Sequence, residues 1–180
     1  MSNWVLPIKQ YTIHPMGAHA LRYNVFDMPP EQCALIICCD RFGQFLYPSN
    51  LRYVLEIVFP DYEDRRLPGA FDKAHARKII RFITELPDMV SDIYVCCAKG
   101  GSRSPAVAAA LLRASGRSDR DAWCNPFYVP NTLVYLRLCQ EFGLKTSILS
   151  VWIRVWINNR AFKKAQKNKG SDKYERWQIL

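Results

Sequence analysis

Ile93-Tyr94-Val95-Cys96-Cys97-Ala98-Lys99-Gly100-Gly101-Ser102-Arg103-Ser104 is the stretch on which the reading of this chain turns. A short apolar run ends in a cysteine, a glycine-rich loop follows, and an arginine stands six positions after Cys97. Pro105 and the alanine-rich run behind it predict a helix over 105–114, ended near Gly116, with proline in its first turn where the missing N–H is not needed. Strand, loop and helix in that order gather backbone N–H groups and the positive end of a helix around an anion. A cysteine at the mouth of such a loop has its thiolate stabilised and is a nucleophile at neutral pH. Arg103 can then hold two oxygens of a phosphate in a planar grip. Five residues separate Cys97 from Arg103. Cys96 has six between and, on a continuing strand, points to the opposite side, where a cysteine is ordinary core.

Cys97-Ala98-Lys99-Gly100-Gly101-Ser102-Arg103 resembles the Cys-x5-Arg signature of the cysteine-based protein tyrosine phosphatases, with Ser104 at the place of the Ser/Thr that usually follows the arginine. The Ser-Arg-Ser-Pro run and its alanine-rich helix look most like the small dual-specificity-phosphatase-like members, and the close match covers about residues 54–114. The resemblance implies a protein-tyrosine-phosphatase-like single domain that hydrolyses phosphomonoesters through a cysteinyl-phosphate on Cys97. Phosphate would be held by Ala98, Lys99, Gly100, Gly101, Ser102 and Arg103, with the Ser104 hydroxyl easing departure of the thiolate. No metal or cofactor is implied. An acid must protonate the leaving oxygen, and the family supplies an aspartate on a loop some thirty residues upstream. Asp61 lies 36 residues before Cys97, directly after the apolar run Val54–Phe59, and Asp64 lies 33 before it on the same loop. Asp61 is the expected acid because the strand end fixes its position, and Asp64 is the alternative. Glu63 and Asp72 are weaker candidates; Asp72 opens a helix and suits its dipole.

Two features bear on substrate and activity. The family usually has His immediately before the nucleophile, to orient the loop and depress the thiol pKa, and Cys96 stands there instead. A catalytically weak or inactive phosphate-binding protein is therefore the second reading. Phosphoinositide-directed relatives carry loop lysines at particular positions; here Lys99 is in a different place and Gly101 stands where the second lysine would lie. RNA-triphosphatase-like relatives end the loop Arg-Thr-Gly, whereas this one reads Arg-Ser-Pro. A phosphorylated protein, phosphotyrosine first, is the expected substrate, with a non-protein one such as an RNA 5'-phosphate as the alternative.

The 180 residues, 49% of them hydrophobic, suffice for a substantial core without staples. Seven cysteines, among them the adjacent pairs Cys38-Cys39 and Cys96-Cys97, make poor disulfide partners and point to a reduced, cytoplasmic protein. A low-pKa Cys97 would be open to oxidation and capture by Cys96, Cys38, Cys39 or Cys124. His14, His19 and His75 are scattered, so no metal site is expected. Met1–Gln10 lacks a secretory pattern, and Ile148–Ile157 is broken by Arg154, so no membrane span is expected.

Ala34–Cys38, Tyr53–Phe59 and Ile93–Cys96 predict strands. Phe71, Ala74, Ile79, Phe82, Ile83 and Leu86 recur at helical spacing up to Pro87, and a second helix runs from an Asn131 cap to Phe142, closed by Gly143. Strands interleaved with helices predict an α/β fold over residues 1–150, a central and mostly parallel sheet with helices on both faces. Residues 151–180 carry eight Lys/Arg against two Asp/Glu, a net +6 of the chain's +9. Ile148, Val151, Trp152, Val155 and Phe162 predict a basic amphipathic helix packed by that face on the same domain, followed by a loose tail over Lys167–Lys173. Its cations suit an anionic partner: lipid, nucleic acid or an acidic protein.

Overall fold

The computed structural model describes residues 9–22, 26 and 28–168. Its strands are β1 (Thr12–Gly17), β2 (Cys33–Cys39), β3 (Tyr53–Val58) and β4 (Asp92–Cys97). They form one sheet in the order β1-β4-β2-β3, with every pair parallel. The two central strands have no polar break long enough to reach water, and every residue of both is buried, as parallel strands covered on both faces require. β1 is the strand that no apolar run announces. Thr12-Ile13-His14-Pro15-Met16-Gly17 has no strict alternation and contains a proline, and it survives as an edge strand paired with β4 alone.

Helices α1 (Ala18–Arg22), α2 (Lys73–Thr84), α3 (Arg103–Ala114), α4 (Arg120–Cys124), α5 (Thr132–Glu141) and α6 (Ile148–Asn168) complete the described residues, with a single 3-10 turn at Pro30–Gln32. Local chemistry sets their ends. The Asp72 carboxylate accepts the His75 backbone N–H at 2.9 Å and starts α2. The Asn131 side chain accepts from Val134 N–H at 3.0 Å and starts α5, and Gly143, at φ 72°, closes it. α3 opens at Arg103, two residues ahead of the sequence expectation, because Pro105 still lies among the first-turn positions whose N–H has no intrahelical partner.

Side chains alternate across the sheet. Ala34, Ile36, Cys38, Ile93, Val95 and Cys97 join the core with α2, α3 and α5. Leu35, Ile37, Cys39, Tyr94 and Cys96 face the other way, toward Leu21 of α1 and Leu51. Helices on both faces were expected; among the described residues α1 is the helix on this second side. The reason is the β2–β3 connection over 40–52, which runs back without a helix and covers that face with half-buried Phe45 and Tyr47.

α6 is turned relative to the sequence expectation. Val151 is buried and Val155 half-buried, but Trp152 is 71% exposed. Polar partners set the rotation. Arg154 donates Nε to Asp119 Oδ2 at 2.8 Å and Nη2 to Oδ1 at 3.2 Å. Buried Asn158 donates to the carbonyls of Trp123, Asn125 and Tyr128 at 3.1, 3.2 and 2.9 Å. The division expected at 150/151 falls in the first turn of this helix. The expected loose tail lies outside the described residues from 169 onward. Among the described residues no helix is long and apolar enough to cross a membrane.

Candidate active site

β4 delivers Cys97 to the carboxyl end of the sheet, residues 98–102 turn, and Arg103 begins α3. Gly100 makes the turn possible. Its φ is 76°, and a Cβ there would stand 2.6 Å from Gly17 N and 2.9 Å from Met16 C. The end of β1 is thus the wall that shapes the loop, and Ala18 N–H donates to Ala98 C=O at 3.3 Å. From the other side Val129 N–H donates to Gly101 C=O at 2.7 Å and Asn131 N–H to Ser102 C=O at 3.2 Å. Loop carbonyls are therefore bonded to their surroundings on both flanks.

The loop floors a cavity of about 310 Å³ lined by Cys97, Ala98, Lys99, Gly101, Ser102, Arg103, Asp40, Asp61, Phe127 and Val129. Cys97 Sγ lies 3.2 Å from Ser104 Oγ in the first turn of α3. Arg103 is buried. Its Nη1 donates to Phe59 C=O at 2.9 Å and to Asp40 Oδ1 at 3.0 Å, and Nη2 donates to Asp40 Oδ2 at 3.3 Å. Burial works against the cation, but the Asp40 carboxylate more than offsets it and the guanidinium pKa lies above its ordinary value. Arg103 Nε is buried without a partner, a donor that a bound oxyanion would satisfy.

Asp61 lines the same cavity as Cys97, from the segment after β3. Its Oδ1 accepts from Ser102 Oγ at 2.9 Å and from Asn131 Nδ2 at 2.7 Å. The Ser102 hydroxyl, at the N-cap position of α3, makes no cap hydrogen bond and goes to Asp61 instead. Asp64 does not line the cavity. It is hydrogen-bonded and ion-paired to Arg66 on the surface, which lowers its pKa to about 2. Gly100 turns away from the cavity against Gly17, while Ala98, Lys99, Gly101 and Ser102 line it.

Cys96 sits on the opposite face of the sheet from Cys97, and burial pushes its thiol up to about 12. Cys39 shares that far face. Cys38 is the register partner of Cys97 on the neighbouring strand and on the same face. Burial, then the adjacent Cys97, raise its own pKa well above the ordinary value.

Asp40, Phe127, Val129 and the Asp61-holding role of Asn131 escaped the sequence reading. Asp40 had a signal: it follows β2 directly, at the carboxyl end of a strand in a parallel sheet, where such folds place their ligands. Asn131 was recognised as a helix cap, which is half of what it does.

Fold and cavity together define an α/β protein whose Cys-x5-Arg loop opens at the carboxyl ends of a parallel sheet. No family model matches this sequence, and no curated protein matches it. Among solved structures the chain is similar to Tk-PTP in the active form, at 14% identity over 88% of this chain and 97% of that one, with a TM-score of 0.42. It is also similar to PTPMT1 in complex with PI(5)P, at 16% identity over 88% and 96% with a TM-score of 0.42. A further PTPMT1 structure matches at 18% identity over 89% and 98%, with a TM-score of 0.41.

Proposed function

We propose that this protein is a phosphatase of the cysteine-based tyrosine and dual-specificity type, hydrolysing phosphomonoesters through a cysteinyl-phosphate on Cys97. The observation that carries the reading is the convergence on one cavity of Cys97, a buried Arg103 with an unpartnered Nε, and Asp61. The Cys97 thiolate attacks phosphorus in line and the P–O bond to the leaving group breaks. Backbone N–H groups of residues 98–103 and the Arg103 guanidinium hold the equatorial oxygens, donors fixed before the reaction begins. Asp61 gives its proton to the leaving oxygen; both its hydrogen bonds fall on Oδ1, so Oδ2 is the oxygen that carries it. Water then attacks the cysteinyl-phosphate, Asp61 takes its proton, and Ser104 Oγ donates to the departing thiolate from 3.2 Å. A reduced, cytoplasmic setting is the one we infer from the cysteine pattern of the sequence, whose adjacent pairs Cys38-Cys39 and Cys96-Cys97 make poor disulfide partners. A phosphorylated protein, phosphotyrosine first, is the substrate class we infer.

The test is hydrolysis of a simple aryl phosphate, without metal and with reductant, by the wild type and Cys97→Ser. Turnover by the wild type alone is the expected result, and turnover retained in Cys97→Ser refutes the assignment. A second reading rests on Cys96, whose buried thiol stands where the resembled family usually has an imidazole. An inactive wild type that still binds vanadate would make the protein a phosphate-binding module.

A further inference from the structure

The outward face of α6 lies outside the cavity that Cys97 lines. At about 100° per residue, Val151, Arg154 and Asn158 share the side that packs inward, where all three are buried or hydrogen-bonded to the domain. The opposite side divides along its length. Its first half carries Ile148, Leu149, Trp152, Ile153 and Trp156, all exposed, with the two tryptophans at 71% and 59%. Its second half carries Arg160, Lys163, Lys164 and Lys167 within the same sector of about 160°. Five large apolar side chains in one stripe are not the single scattered exposures of an ordinary surface. α6 contains no Asp or Glu. Arg160 lies 5.5 Å from the Trp156 ring centroid and joins the two halves.

We propose that this face docks on an anionic lipid bilayer. The helix lies along the surface, its aromatic half in the headgroup–acyl boundary and its cationic half on the lipid phosphates. A bilayer meets both halves at once: tryptophan and aliphatic side chains settle at the interface, and lysines are drawn to anionic headgroups. Nucleic acid would use the cations and the rings but leave Ile148, Leu149 and Ile153 against a charged backbone. A second copy of this chain would set the cations against like charges or against the apolar half. Among the described residues, two carboxylates that line the groove beside Trp152 are already bonded: Asp64 to Arg66, and Glu63 to the Thr132 backbone N–H at 3.0 Å. Trp152 and Glu63–Arg65 line one groove, and Asp61 lies two residues before Glu63, so docking brings the catalytic edge near the headgroups. The proposal does not depend on the chemistry of Cys97.

The experiment is co-sedimentation of the full-length protein with vesicles of phosphatidylcholine alone, or of phosphatidylcholine with phosphatidylserine, at low and high salt. Binding is expected to the anionic vesicles and to weaken with salt. Lys163→Gln/Lys164→Gln should lower the partition coefficient about 25-fold, near five-fold per cation, while Lys163→Arg/Lys164→Arg retains it. Trp152→Ser/Trp156→Ser should lose binding with an unchanged circular dichroism spectrum; if that variant fails to fold, the lysine pair decides. The proposal is overturned by absent binding at low salt or by full binding of the lysine-to-glutamine variant. It is equally overturned by binding of single-stranded RNA in place of vesicles, or by a dimer that the tryptophan variant dissociates.

Discussion

Asp119→Ala tests whether the seat of α6 is electrostatic. Asp119 is buried, takes both Arg154 donors, and accepts the Tyr135 hydroxyl. Tyr135 in turn accepts from Arg113 Nη1 at 3.0 Å, and Arg154 lies 5.5 Å from the Tyr135 ring centroid, so one carboxylate organises a network spanning α3, α5 and α6. Removing one partner of a buried pair costs about 3–5 kcal/mol when the other stays dry. The Arg154 side chain keeps 21% of its surface exposed and can turn toward water, which reduces the expected loss to about 2–3 kcal/mol. For a chain of this size that lowers Tm by about 4–12 °C, and urea unfolding should show it as a shifted midpoint at constant m-value.

The effect carries a pH signature. Burial works to raise the Asp119 pKa, but the hydrogen bonds from Arg154 and Tyr135 outweigh it and hold it below the ordinary value. The folded state therefore binds that proton less readily than the unfolded chain. Its contribution is complete above the unfolded pKa of about 3.9 and is lost as pH falls through the folded value. The gap between wild type and Asp119→Ala should stay constant from neutral pH down to about 5 and close below about 4. A gap under about 0.5 kcal/mol at neutral pH, the range of an ordinary surface substitution, refutes the reasoning, and so does a gap that persists unchanged in acid. Arg154→Ala combined with Asp119→Ala should cost less than the two single effects added.

Gly100→Ala forces a Cβ to within 2.6 Å of Gly17 N at positive φ. It should cost about 2–4 kcal/mol and remove vanadate binding; normal stability by urea titration would contradict the loop geometry. Asn131→Ala removes a helix cap and a donor to Asp61, an expected loss of about 2–4 kcal/mol. Asn131→Ser should recover about 1 kcal/mol of that as a cap while turnover stays low, so equal recovery of both would speak against the second role. Asp61→Asn should reduce kcat by about 10²–10⁴ and Asp64→Asn leave it within about threefold; the reverse outcome would make Asp64 the acid.

What the amino-acid order decided by itself was local. The apolar run before Cys97, the glycine-rich loop, and Pro105 in a first turn act through backbone sterics over a few residues, so β4, the loop and α3 were legible to within two residues. Asp72 and Asn131 started helices and Gly143 ended one for the same reason: a cap needs only its own neighbours. The cysteine alternation was legible too, because a strand turns successive side chains to opposite faces. Tertiary structure decided what distant segments meet. β1 has too little apolar character to form alone and exists by pairing with β4, yet its Gly17 shapes the loop over 98–102. Asp40 meets Arg103 across 63 residues of chain because β2 lies beside β4. Arg154 meets Asp119 across 35 residues, and that contact turns Trp152 outward against the hydrophobic periodicity of its own helix. Burying an aromatic stripe competes with pairing a guanidinium to a buried carboxylate, and which of them wins depends on a partner that helical periodicity does not contain.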